Sequence, residues 1–224
     1  MTPPLRFGAP ATLVGGARVS PYDVEACLAL APHLVAADSG ADRLLSLGLR
    51  PVSVIGDMDS LSTAGQAALG PLVHRVAEQE TTDFEKCLTR IAAPLVLAVG
   101  FAGGRADHAL AVFNALVRHP ARRCIVVGAQ DVATLAPPHL LLPLAGGERV
   151  SLFPMAPVAG ASTGLHWPIH GIDFAPGGPI GTSNRAEGPV SLSFGAPGML
   201  LILPRPCLPA LLAGLDEAPH WPDA

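Results

Sequence analysis

The sequence predicts a mixed α/β protein: a mostly parallel sheet flanked by helices over residues 1–145, and a smaller antiparallel β-sandwich-like domain over residues 146–224. Three observations carry this expectation. Short apolar runs alternate with helix-spaced segments as far as about residue 130, the pattern of strands joined by covering helices. Beyond Leu144 the texture changes to short alternating segments cut by Gly and Pro, with no long helical stretch before Leu208. Half of the 224 residues are hydrophobic and only 14% are charged, which supplies a core and excludes a disordered chain.

Residues 11–14 read as the first strand, and Ser20-Pro21 then opens a helix through Ala31, with Ser as N-cap and Pro in the first turn. Residues 33–37 form the next strand and 41–47 a short helix that Gly48 ends. A strand over 52–55, a helix over 62–69 and a strand over 72–76 follow. Phe84, Cys87, Leu88 and Ile91 give residues 82–92 helical spacing. Residues 95–99 and 125–127 are buried-strand runs on either side of an amphipathic helix over 107–118. In the last third, strands are expected over 149–153, 164–169, 171–174, 189–194 and 199–203.

With 14 Lys and Arg against 18 Asp and Glu the formal charge is −4, which offers no basic footprint for nucleic acid or an anionic membrane. A phosphate-bearing ligand must then be held by local donors or by a metal. The opening residues lack the apolar stretch of a secretory signal, and the later apolar runs are too short and broken to span a membrane. Cys27, Cys87, Cys124 and Cys207 have neither zinc-site spacing nor the look of a disulfide framework, so buried reduced thiols in a cytoplasmic protein are expected. Lys86 is the one lysine among the 14 cationic residues, which points to a position where a compact ammonium serves and a guanidinium would not.

In an open parallel sheet, ligands gather at the carboxyl ends of the strands. Three predicted exits carry carboxylates: Asp38-Ser39-Gly40, Gly56-Asp57-Met58-Asp59-Ser60, and Gly103-Gly104-Arg105-Ala106-Asp107-His108. In an extended segment Asp57 and Asp59 project to the same side, a pair that suits the oxygen-seeking Mg²⁺. The same residues also suit a solvated turn that caps the helix after Ser60. Thr82, Asp83 and Lys86 share one side of the helix they begin. Asp83 can bind a metal or its water and Lys86 can meet phosphate oxygens; alternatively Thr81 or Thr82 caps the helix while Asp83 and Lys86 form a surface pair. Gly103-Gly104 lets backbone approach a ligand closely, and Arg105 can grip phosphate bidentately. No Walker-type loop, nucleophile elbow or His-Glu-x-x-His site is present in the sequence.

Taken in order, Ala37-Asp38-Ser39-Gly40-Ala41-Asp42-Arg43, Gly56-Asp57-Met58-Asp59-Ser60, Thr82-Asp83-Phe84-Glu85-Lys86 and Gly103-Gly104-Arg105-Ala106-Asp107-His108 closely resemble the thiamine pyrophosphokinase family. Gly164-Leu165-His166-Trp167-Pro168-Ile169 and Thr182-Ser183-Asn184 continue the likeness, which covers residues 36–204. The resemblance implies transfer of the β,γ-diphosphoryl group of ATP to the hydroxyl of thiamine, giving thiamine diphosphate and AMP. It implies a homodimer with thiamine between one subunit's catalytic domain and the other's β-domain. Asp57, Asp59 and Asp83 fall at its Mg²⁺ cluster, joined by Lys86 and Arg105 in catalysis. Asp38, Thr82, Lys86, Arg105 and Asp107 fall around the nucleotide, and Trp167 and Ser183 at thiamine. Four residues depart from the family pattern: Ser39 for Gly, Asp42 for Asn, Glu78 for Asp, and Arg185 for Glu. Two other readings stay open at this point, a related pyrophosphokinase acting on another hydroxymethyl heterocycle such as a pterin, and a catalytically silent nucleotide- or thiamine-binding protein.

Overall fold

The computed structural model describes residues 5–222. Residues 1–4, which head the stretch expected to lack a secretory signal, and residues 223–224, which end the expected β-domain, lie outside the described residues. The chain forms a mixed α/β fold in two units, the first of residues up to 115 with 124–128, the second of residues 116–123 with 129 onward.

The first unit runs β1 (Leu5–Arg6), β2 (Ala11–Val14), α1 (Pro21–Leu30), β3 (His33–Ala37), α2 (Gly40–Ser46), β4 (Ser53–Gly56), α3 (Thr63–Leu69), β5 (Val73–Arg75), α4 (Asp83–Arg90), β6 (Ile91–Ala92), β7 (Val96–Val99), α5 (Ala106–Arg118) and β8 (Cys124–Val127). Its ladders are parallel: β7 lies between β2 and β8, and β4 between β3 and β5. Every residue of β2, β4, β7 and β8 is buried, as expected of parallel strands covered on both faces. Helix α1 starts where Ser20-Pro21 predicts, and its cap is a reciprocal box: Ser20 Oγ accepts from Asp23 N–H and the Asp23 carboxylate accepts from Ser20 N–H, each at 3.2 Å. The helix expected to reach Ala92 stops at Arg90, because Ile91 and Ala92 pair in parallel with Leu5 and Arg6.

The second unit runs β9 (Asp131–Leu135), β10 (His139–Leu142), β11 (Arg149–Pro154), β12 (Val158–Leu165), β13 (Asp173–Phe174), β14 (Gly181–Phe194), β15 (Met199–Pro204) and α6 (Leu208–Glu217). Within the unit the ladders are antiparallel: β9 with β15, β15 with β11, β11 with β14, and β14 with both β12 and β10. Strands β9 and β10 precede the boundary that sequence texture suggests near residue 145, yet they pair with strands of this unit. The strand expected over 164–169 is instead the end of β12, which stops at Leu165 just after a register shift against β14 at Gly164, whose φ is +77. Conversely the strand expected over 189–194 is the end of a longer one, since β14 begins at Gly181 and runs through Gly188-Pro189.

Helix α6 is held on this sheet by close packing and by its end. A Cβ on Gly214 would lie 2.5 Å from the carbonyl oxygen of Leu141 in β10, so only glycine lets the helix approach so near. Arg123 donates to the carbonyl oxygens of Leu215 and, at 2.7 Å, Ala218, satisfying acceptors that a helix terminus leaves open. All four cysteines are buried. Among the described residues no helix is long and apolar enough to cross a membrane. Gly214→Ala is expected to destabilise the fold by about 1–3 kcal/mol through overpacking, read as a lower urea midpoint at unchanged slope. An unchanged midpoint would mean that α6 does not sit this close to β10.

Candidate active site

The carboxyl ends of β2, β3, β4 and β7 and the start of α4 open into a cleft of about 520 Å³ lined within the first unit. Asp38 leaves β3 with φ +43, its N–H held by Ile55 O at 2.9 Å, and its side chain is 3% exposed. Asp38 Oδ2 accepts from Ser60 N–H at 3.2 Å, whereas its buried Oδ1 has no hydrogen-bond partner. Asp57 follows β4. Gly56 before it must be glycine, because a Cβ there would lie 2.9 Å from Asp38 Cβ and 3.2 Å from Asp83 Oδ1. Asp83 stands in the first turn of α4, whose N-cap hydroxyl, Thr82 Oγ1, accepts from Glu85 N–H at 3.3 Å.

These elements bring one carboxylate oxygen each of Asp38, Asp57 and Asp83 within 4.8 Å of one another. Lys86, one turn along α4 and 1% exposed, donates to Asp57 Oδ2 at 2.8 Å and to Asp83 Oδ1 at 3.3 Å. The surface-pair alternative for Asp83 and Lys86 is therefore set aside. Hydrogen bonding from Lys86 draws the Asp57 carboxyl below its ordinary value. Burial, reinforced by the charge of Asp57, pushes Asp83 up; burial and the charge of Asp83 do the same to Asp38. Burial pulls the Lys86 ammonium down, but its bonds to Asp57 and Asp83 outweigh that and hold it above its ordinary value. Three close carboxylates against one ammonium leave an excess of negative charge, and Asp38 Oδ1 is buried without a partner; a hard, oxygen-seeking cation fits this donor set.

The remaining residues singled out in the sequence fall differently. Asp59 is exposed and outside the group of three, since Met58 has φ +70 and the segment is a turn, not the extended run in which residues two apart share a side. Its N–H instead donates to Asp57 Oδ1 at 3.1 Å. Arg105 lines the cleft, bound bidentately to Asp107 at 3.1 and 2.6 Å. That bonding lowers the Asp107 carboxyl to about 2, and Asp107 does not join the three buried aspartates. Thr82 lines the cleft while capping α4. Trp167 and Ser183 belong to the second unit, both exposed. Of the departures, Ser39 lines the cleft, whereas Asp42 is bound by the hydroxyl and N–H of Ser62 at 2.6 and 2.8 Å. Sequence reasoning missed Gly16 and Phe101, which also line the cleft; the Gly15-Gly16 pair at the exit of β2 was the available signal.

In the unfolded chain Asp38 titrates near 3.8 and in the folded protein higher, so its ionised form costs stability at neutral pH, a cost that fades as pH falls toward the unfolded value. Asn at this position keeps an acceptor for Ser60 N–H and removes the charge. Asp38→Asn is expected to raise the thermal midpoint of the ligand-free protein at neutral pH, with the gain shrinking toward pH 3.8. A midpoint equal to or below that of the wild type at neutral pH would show that the three carboxylates do not repel as their geometry requires.

Residues 24–127 match the family model described as thiamin pyrophosphokinase, catalytic domain. Thiamine pyrophosphokinase 1 of Arabidopsis thaliana is 28% identical over 159 residues, which cover 62% of this chain and 59% of that protein. Thiamine pyrophosphokinase 2 of the same plant is 32% identical over 127 residues, covering 49% and 47%. The chain thus spans roughly half to three fifths of the length of these relatives. Among solved structures, a thiamin pyrophosphokinase from Candida albicans shares the fold at a TM-score of 0.75 and 14% identity, over 88% of this chain and 89% of that one. One from Geobacillus thermodenitrificans has a TM-score of 0.70 and 25% identity, over 87% and 96%. The chain thus resembles the thiamin pyrophosphokinases in two ways, by the catalytic-domain match over residues 24–127 and by a fold shared with solved members along most of its length.

Proposed function

We propose that this protein transfers the β,γ-diphosphoryl group of ATP to the hydroxyl of thiamine, releasing thiamine diphosphate and AMP. The observation that carries the reading is the convergence of Asp38, Asp57 and Asp83 with the buried Lys86 in a cleft at the carboxyl ends of parallel strands, in a chain whose residues 24–127 match the catalytic domain of that family. Asp38, Asp57 and Asp83 are the proposed ligands of Mg²⁺, with Asp59 at the exposed rim. When bound there, Mg²⁺ supplies positive charge to the phosphate oxygens and to the carboxylates that now repel one another.

The chain's own residues do the positioning. Lys86, locked by two carboxylates, offers a fixed positive charge beside the phosphate chain and needs no reorganisation to do so. Arg105, exposed and prearranged as a fork by Asp107, is placed to exchange that carboxylate for phosphate oxygens. Phe101, packed edge-on against Phe84 with centroids 5.0 Å apart, lines the cleft with an apolar surface for the nucleoside end. Attack by the alcohol on the β-phosphorus with AMP leaving needs little more than alignment and charge neutralisation, which is what this set of groups provides.

The finer organisation belongs to the same proposal: a parallel-sheet catalytic domain, a β-sandwich-like domain that carries Trp167 and Ser183 for thiamine, and a homodimer in the cytoplasm. The buried thiols support a reducing compartment, and an exposed indole suits a flat cationic heterocycle.

Purified protein given ATP, Mg²⁺ and thiamine is expected to release AMP; release of ADP would mean single-phosphoryl transfer and overturn the assignment. Asp57→Asn is expected to lower kcat by about 10²-fold or more and, by removing the charge that pairs with buried Lys86, to lower the thermal midpoint as well; retained turnover in the folded variant would remove Asp57 from the reacting centre. Trp167→Ala is expected to raise the KM for thiamine far more than that for ATP, and equal rises would refute stacking.

A further inference from the structure

Trp167 is 57% exposed, yet its main chain is fastened in both directions by a single buried side chain. Asn184, 5% exposed, donates through Nδ2 to Trp167 O at 2.7 Å and accepts the Trp167 N–H at Oδ1, at 3.2 Å. The same Oδ1 accepts from Arg185 N–H at 2.8 Å. A buried primary amide therefore directs its donor and part of its acceptor capacity at one exposed aromatic residue. For a residue on a solvated turn this is more restraint than folding requires, since its peptide groups could bond to water.

The strand geometry explains how the amide gets there. Between Val150 and Leu152 strand β11 advances two residues while β14 passes three, from Asn184 back to Gly181, so β14 carries one extra residue. Ser183 takes up the excess at φ +61, a conformation uncommon for a residue with a side chain, with its N–H donated to Ser151 Oγ at 3.0 Å. A bulge of this kind re-aims the neighbouring side chains, and here the effect is that Asn184 is turned inward under the segment that carries Trp167. The indole is further restrained from one side by the ring of His166, edge-on with centroids 4.5 Å apart, whose Nδ1 lies 2.6 Å from Glu187 Oε1.

We propose that Asn184 is a positioning residue that presents Trp167 as a preformed stacking platform for a flat cationic ring; that this ring is thiamine rests on the function proposed above. Holding the main chain in advance lowers the ordering cost that a loop tryptophan otherwise incurs when it closes on a ligand.

The test uses Asn184→Asp and Asn184→Ala in a Trp221→Phe background, which leaves Trp167 as the sole indole of the two in the chain. Asp keeps an acceptor for the two N–H groups and loses the donor to Trp167 O; Ala loses both. Either variant is expected to raise the KM for thiamine by about tenfold while the KM for ATP stays within about twofold, and to lower the fluorescence anisotropy of Trp167. If the Ala variant does not fold, the isosteric Asp variant carries the test. Turnover of thiamine with an unchanged thiamine KM, or with both KM values raised together, would overturn the positioning role. If the parent protein fails to turn over thiamine at all, the functional reading falls; the anisotropy then decides alone, a fall supporting the restraint and an unchanged value overturning it.

Discussion

The constraint on which the rest of this structure depends is the burial of one ammonium among carboxylates that arrive from different parts of the chain. Lys86 is 1% exposed and reaches Asp57, 29 residues earlier, as well as Asp83 one turn before it on the same helix. An ammonium in that position is tolerable only if paired, because stripping an ion of water costs several kcal/mol even after relaxation. The pairing therefore ties α4 to the end of β4. Asp38 has no such partner for its inner oxygen. A site with three acidic groups and one fixed cation is unwelcoming to a bare triphosphate and receptive to one accompanied by a divalent ion. Under the function proposed above, charge that is unfavourable among the carboxylates alone becomes a source of selectivity for a metal-loaded nucleotide.

Holding the carboxylates together also costs backbone strain. Asp38 and Met58 both have positive φ although neither is glycine, and such conformations persist where packing over-determines them. The packing here is that of buried parallel strands, with Ile55 O fixing Asp38 N–H and Gly56 O accepting from Val76 N–H. Both strained residues lie at strand exits, where a regular strand would have sent the side chain elsewhere. Rigid strands fix where the turns begin, and the turns fix which oxygens meet.

Much of this was readable from residue types and spacing, and the limits of that reading have physical causes. Alternating apolar runs reveal the parallel strands because strands covered on both faces need continuous hydrophobic stretches, and Ser20-Pro21 reveals α1 because capping chemistry is local. The singularity of Lys86 pointed to a special position because arginine cannot replace a compact buried ammonium. Asp59 was misplaced because the Asp57–Asp59 pairing assumed an extended chain, and a positive φ at a methionine cannot be read from composition. The deep burial of Asp38 was hidden for the same reason. The strand expected over 189–194 begins as early as Gly181, and only long-range pairing on both sides of Gly188-Pro189 makes β14 continuous. The partners of Arg105 and Asp42 could not be foreseen either, since each side chain chose a neighbour, Asp107 or Ser62, by local geometry.

The two units solve the problem of precise presentation by different means. In the first, the carboxylates sit on turns whose conformation is fixed by charge pairing and by close approach at Gly56, so a change of one charge alters the geometry of all its neighbours. In the second, an exposed ring is aimed by an irregularity in a hydrogen-bonded ladder, where the extra residue at Ser183 turns Asn184 beneath Trp167. Charge networks are cooperative, and the removal of one member leaves others buried and unpaired. A bulge is local, because the ladder resumes on either side of it. Substitutions among the clustered charges of the first unit are therefore expected to couple strongly with one another, whereas those around Trp167 act through a single amide and its two bonds to that residue, a difference that follows from how each side chain is held.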